Sequence, residues 1–161
     1  MDILFNIVTQ YFWLIMIGYM LLVGVMWWRH SRALREKDPA FSTSYKRLIT
    51  WFVTAGSIPW LFLGVAQMVG EYNYVYEIFD YWNADFWTAG FYTSSVILGL
   101  AANYYIFVKD GAKELSKHPG LFNQDHSSAG WKLEGIAIPF THLCFFVLAY
   151  MMRDQLASLG S

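Results

Sequence analysis

The residue best placed for chemistry is His142, in the run PFTHLCFF, with no charged side chain from Gly135 to Met152. An ionisable group in such a stretch is a functional candidate, because burying it away from water is costly without a role or a partner. An imidazole there could ligate haem, donate a hydrogen bond to a quinone, relay a proton or bind a metal. The plainer alternative is a neutral histidine bonded to a threonine, a serine or a backbone carbonyl on a neighbouring helix. A two-histidine haem would need a second imidazole at matching depth, yet His30, His118 and His126 all lie among charged segments. Met16 and Met20 leave a histidine and methionine pair open. Haem or quinone is therefore compatible with the sequence and required by nothing in it.

Other candidates are more diffuse. Cys144 is the only cysteine, which excludes an internal disulfide and any cysteine-rich zinc site. It falls on a different helical face from His142, two positions earlier. His118, Asp125 and His126 share the segment KHPGLFNQDHSSAGW, but their spacing fits no established zinc pattern. Glu77, Asp80 and Asp85, among tyrosines, offer a surface for cations or a cationic partner. No phosphate-binding loop, serine elbow, paired-carboxylate spacing or metalloprotease helix is present. The expectation is a protein that is not an enzyme and does not bind nucleic acid.

The elements that must hold these residues are read from charge. Of 161 residues, 57% are hydrophobic and only 14% charged. Four charge-free runs, about 3–28, 48–70, 86–108 and 135–152, are separated by charged connections 29–47, 71–85 and 109–134. Each run matches the roughly 20 helical residues needed to cross a hydrocarbon core of about 30 Å. In lipid the backbone must bond to itself, so such runs are helices. The expected fold is an all-α integral membrane protein, one domain, with four transmembrane helices running up and down as a bundle. The first run lacks a basic leader and a small-residue cleavage site, so it reads as a retained helix rather than a secretion signal.

Orientation follows from the basic residues. Arg29, Arg32, Arg35, Lys37, Lys46 and Arg47 lie in the first connection, and Lys109, Lys113, Lys117 and Lys132 in the third, leaving only Arg153 elsewhere. Both connections are expected to be cytoplasmic and both termini outside, in a plasma membrane of bacterial type. Glu71 to Trp87 then lies at the outer face, where a lack of lysine and arginine favours translocation and aromatic rings suit the headgroup level. Part of it, Ile78 to Asp85, reads as a short helix in the interface plane. The opposite aromatic belt is expected from Trp27, Trp28, Tyr45, Trp51, Tyr104, Tyr105 and Trp131.

Small and weakly polar residues are expected where helices touch in lipid. Thr50, Thr54, Ser57, Gly64 and Gln67 fall on one face of the second helix, and Thr88, Tyr92, Ser95, Gly99 and Asn103 on one face of the third. They read as packing contacts or as the lining of a polar pathway. Pro59 and Pro139 interrupt the second and fourth helices, each removing a backbone donor. LREKDPAF before SIPW is echoed by ELSKHPGLF before AIPF, which suggests tandem halves. DHSS reads as a helix start with Ser127 or Ser128 as cap. The expected function is a small non-catalytic membrane subunit or assembly partner, in contact with lipid and with other subunits or further copies of itself. A small oligomeric transporter or channel, and a redox protein using His142, are the alternatives.

Overall fold

The structure, a computed structural model, describes residues 7–79, 85–121 and 127–151, except the side chains of Tyr76, Phe79, Ile138, Thr141, His142, Phe145, Phe146, Leu148, Ala149 and Tyr150. Among these residues the chain is helical, with no strand. After a helical stretch at 7–10 and a bend at Tyr11, the elements are α1 (Phe12–His30), α2 (Arg32–Lys37), α3 (Pro39–Met68), a 3₁₀ turn (Val75–Phe79), α4 (Phe86–Val108), α5 (Gly111–Ser116) and α6 (Ser128–Met151). Three of them, α1, α3 and α4, are long and apolar enough to cross a membrane.

The ends of the helices have local causes. Asp38 is extended, accepts a hydrogen bond from the Ala40 amide at 2.9 Å and is followed by Pro39, so an aspartate cap and a first-turn proline start α3. That start lies nine residues before the apolar run at Leu48, and the connection 29–47 is largely helix rather than loop. At the other end of α3, Gly70 has φ 79°, the Glu71 amide bonds to the Ala66 carbonyl and the Gly70 amide to the Gln67 carbonyl. This pair of bonds is a Schellman closure, and its left-handed residue favours glycine. Asp85 caps α4 through the Thr88 amide at 2.8 Å. The Ser127 hydroxyl accepts from the Gly130 amide at 3.2 Å, capping α6 seven residues before Gly135.

Two aromatic clusters show how the long helices run. Trp27 near the end of α1, Tyr45 near the start of α3, Ile106 at the end of α4 and Trp131 at the start of α6 are buried together with Ala112 and Leu121. At the opposite end, Leu63 and Ala66 of α3 gather with Phe91 of α4, Tyr72 and Ile78, and Trp13 of α1 packs against them. Successive long helices therefore alternate in direction. The first cluster also revises the aromatic belt: Trp27, Tyr45 and Trp131 are 3%, 0% and 4% exposed, so they form core, while Trp28, Trp51 and Tyr104 remain outside.

The seams between helices sit on glycines. A methyl group at Gly64 would come 2.6 Å from the Trp13 ring, and at Gly24 2.8 Å from Val53, both across α1 and α3. Gly90 meets the Phe62 ring across α3 and α4, and Gly135 the Phe107 ring across α4 and α6. Removing the side chain lets backbones approach, which is how helices gain dispersion contacts where water supplies no drive. The long runs of exposed apolar side chains, such as Leu14, Leu21, Leu22 and Val25 on α1 and Val96, Ile97 and Leu100 on α4, face away from these seams.

Candidate functional site

At the aromatic and acidic end, Tyr72 is buried behind the 3₁₀ turn. Its hydroxyl donates to Asp85 Oδ1 at 2.5 Å and lies 2.6 Å from Thr88 Oγ1. The same carboxylate oxygen accepts the Thr88 amide, so one aspartate ties the 71–79 segment to the first turn of α4. Burial pushes the Tyr72 phenol up to about 12, and the adjacent carboxylate acts in the same direction. Burial works upward on Asp85 too, but hydrogen bonds from Tyr72 and Thr88 outweigh it and hold the carboxyl below its ordinary value. Glu77 accepts the Asn73 and Tyr74 amides at 2.9 and 2.8 Å through Oε1. Two acids anticipated as a partner surface are thus engaged in local caps, and Asp80 lies outside the described residues.

Along the helices, three of the polar residues expected to glue helices or line a pathway turn back on their own backbone. Ser57 donates to the Val53 carbonyl, Ser95 to Phe91 and Asn103 to Gly99, each one turn earlier. Such bonds satisfy a hydroxyl or amide in an apolar setting without a partner helix. Thr54 is exposed, Pro59 is buried within α3, Pro139 is exposed on α6, and Tyr92 is half-buried with its ring edge-on to Phe91. Gln67 Nε2 reaches the Thr9 and Asn73 carbonyls only at 3.4 and 3.5 Å, and its Oε1 is buried with no hydrogen-bond partner among the described residues. His142 belongs to α6, but its side chain lies outside the described residues.

The basic end holds the cluster that the sequence did not reveal. His118, 3% exposed, places Nε2 2.6 Å from Ser44 Oγ and Nδ1 2.8 Å from the Glu114 carbonyl. A carbonyl can only accept, so Nδ1 carries a proton, and Nε2 shares a hydrogen bond with the Ser44 hydroxyl. Tyr45 donates to the Pro119 carbonyl at 2.6 Å, and the rings of Phe41 and Tyr45 pack edge-on against the imidazole. These bonds strap 111–121 across the start of α3. For the metal reading of His118, no set of three candidate ligands occurs among the described residues, and Asp125 and His126 lie outside them. The tandem echo also diverges here, since Pro39 opens a helix whereas Pro119 sits in a turn.

Beside this strap, the Arg35 guanidinium lies 3.4 Å over the Trp28 ring and donates to the Trp28 carbonyl and the Ser31 hydroxyl. The class defined by these elements is, among the described residues, all-helical with three helices suited to a membrane. No protein-family model, curated protein or solved structure matches it.

Proposed function

We propose that the chain is a non-catalytic integral membrane subunit or assembly partner of a larger membrane complex, possessing four spans in a bundle and both termini on the outer side of a bacterial-type plasma membrane. The observation that carries this reading is that only 11% of the most apolar stretch of α1, and the same share of α4, is buried inside the chain. Exposed apolar area on that scale is unfavourable in water at about 25 cal/mol per Å², and lipid or neighbouring subunits remove the cost. The fourth span rests on the charge-free run within α6, and the orientation on the ten basic residues at one end. Native mass measurement after gentle detergent extraction tests the assignment. Co-purifying subunits or further copies are expected; recovery only as a bare monomer counts against a role in assembly.

A second reading, a small oligomeric transporter or channel, draws on the buried Gln67 Oε1, an acceptor on α3 with no partner among the described residues. Its test is solute flux in proteoliposomes. Flux that persists unchanged in Gln67→Leu and Ser57→Ala would leave this reading without a pathway.

A further inference from the structure

One outward stripe of α1 ends in a cation held against an aromatic ring. Leu14, Gly18, Leu21, Val25 and Trp28 recur at helical spacing, and all are exposed. A Cβ at Gly18 would meet nothing within 4 Å, so the stripe carries a shallow dent in its middle. At its end the Arg35 guanidinium, 3.4 Å above Trp28, is fixed by bonds of 2.5 Å to the Trp28 carbonyl and 3.0 Å to Ser31 Oγ. Ser31 is fully buried and itself donates to the Trp28 carbonyl at 3.2 Å. Two anchored donors leave the rest of the guanidinium fork for an anion. Arg29 follows Trp28 directly and is exposed.

The nearby acids are engaged first elsewhere, although Glu36 also feels the charge of Arg35. Glu36 is taken by Arg32 at 2.7 Å, and Asp38 caps the Ala40 amide. Among the described residues, neither Arg29 nor Arg35 has a carboxylate within ion-pair reach. An apolar track that stops at a tryptophan, an anchored guanidinium and a second arginine has the layout of one lipid molecule, acyl chain below and phosphate above.

We propose that this face of α1 binds an anionic phospholipid, with an acyl chain along Leu14, Gly18, Leu21 and Val25 and the phosphate at Arg29 and Arg35. The site rests on the membrane-spanning reading of the chain. Charge complementarity selects the occupant: a zwitterionic headgroup fits the apolar track equally well but adds a cation beside two arginines. Planarity matters as well, since the Arg35 guanidinium offers a fixed fork of donors over Trp28 while a lysine at the same place would present a point charge.

The test uses the full chain in nanodiscs made from equal parts of phosphatidylcholine and phosphatidylglycerol, followed by native mass spectrometry of the lipids retained. The ratio of anionic to zwitterionic lipid retained is expected to exceed that of the bulk mixture about five-fold, the effect of about one well-placed cation. In the Arg29→Gln, Arg35→Gln double variant, with helicity checked by circular dichroism, the retained lipid is expected to match the bulk. The Lys109→Gln, Lys132→Gln double variant, which alters the same end of the molecule elsewhere, is expected to keep the preference. Equal retention of both lipids by the unaltered chain, or the same loss in both double variants, overturns the site. Failure of the unaltered chain to enter the nanodisc removes instead the membrane reading on which the site rests.

Discussion

Tyr72 donates its phenolic proton to Asp85 across 2.5 Å, and the carboxylate oxygen that accepts it also accepts the amide of Thr88. A residue after the end of α3 and the cap of α4 thereby share one acceptor. The two helix ends are consequently tied by side chains.

That shared acceptor makes Asp85→Ala more damaging than the loss of a simple cap. A capping carboxylate is worth about 0.5–2 kcal/mol, and its removal also strands the buried Tyr72 hydroxyl, leaving Thr88 as its remaining partner. Thermal unfolding in a mild detergent should show Asp85→Ala falling further than Tyr72→Phe, for which the expected loss is about 1 kcal/mol. Equal losses would mean that the cap and the clasp do not cooperate.

Acid and base act on opposite members of the pair. The folded carboxyl of Asp85 lies below its ordinary value, so its contribution is complete at neutral pH and disappears as pH falls below about 4. The folded phenol of Tyr72 is raised to about 12, so its contribution holds below pH 10 and is lost between there and about 12. Absorbance titration should reveal a late-titrating tyrosine that vanishes in Tyr72→Phe, and Asp85→Asn should flatten the acid limb of the unfolding midpoint.

Ser44→Ala removes the hydroxyl bonded to His118 and leaves Nε2 buried without that partner. The penalty for such an orphan is about 1–3 kcal/mol. Because the bond ties 111–121 to α3, amide exchange should accelerate there first, while α4 keeps its protection. Exchange that rises uniformly along the chain would show that the strap is not a separate unit.

Gly111 and Gly99 should respond in opposite ways to alanine. A Cβ at Gly111 would stand 2.5 Å from the Tyr105 carbonyl oxygen, a backbone atom that cannot swing aside, whereas at Gly99 nothing lies within 4 Å. Overpacking of this kind costs about 1–3 kcal/mol. The expected ranking in detergent unfolding is Gly99→Ala close to the unaltered chain and Gly111→Ala well below it.

Asp110, just before Gly111, adopts φ 54° and ψ 20°, left-handed backbone that costs an ordinary residue about 1–2 kcal/mol. Its ion pair with Lys113, at 3.4 Å and largely exposed, offsets little of this. Asp110→Gly should therefore raise the unfolding midpoint and Asp110→Val lower it. A stabilising valine would contradict the assigned backbone.

The sequence alone determined what is local along the chain. Charge-free length implied helices, and α4 spans Phe86–Val108 because nothing within that run offers a charge or a breaker and Asp85 supplies a cap. The Ser127 cap was likewise legible, since a serine three residues before an amide needs no distant partner. The earlier start of α3 was written in Asp38 and Pro39 but masked by the charges that follow, because absence of charge reports on the solvent around a helix and not on where the helix begins. Which aromatic rings become core could not be read from spacing: Trp27 and its neighbour Trp28 have the same chemistry, and only packing against Phe52 and Tyr45 buries one while the other stays outside under Arg35. The same holds for His118, whose meaning depends on Ser44, 74 positions away, because a hydrogen bond across that separation exists only after the helices have brought both groups to one end.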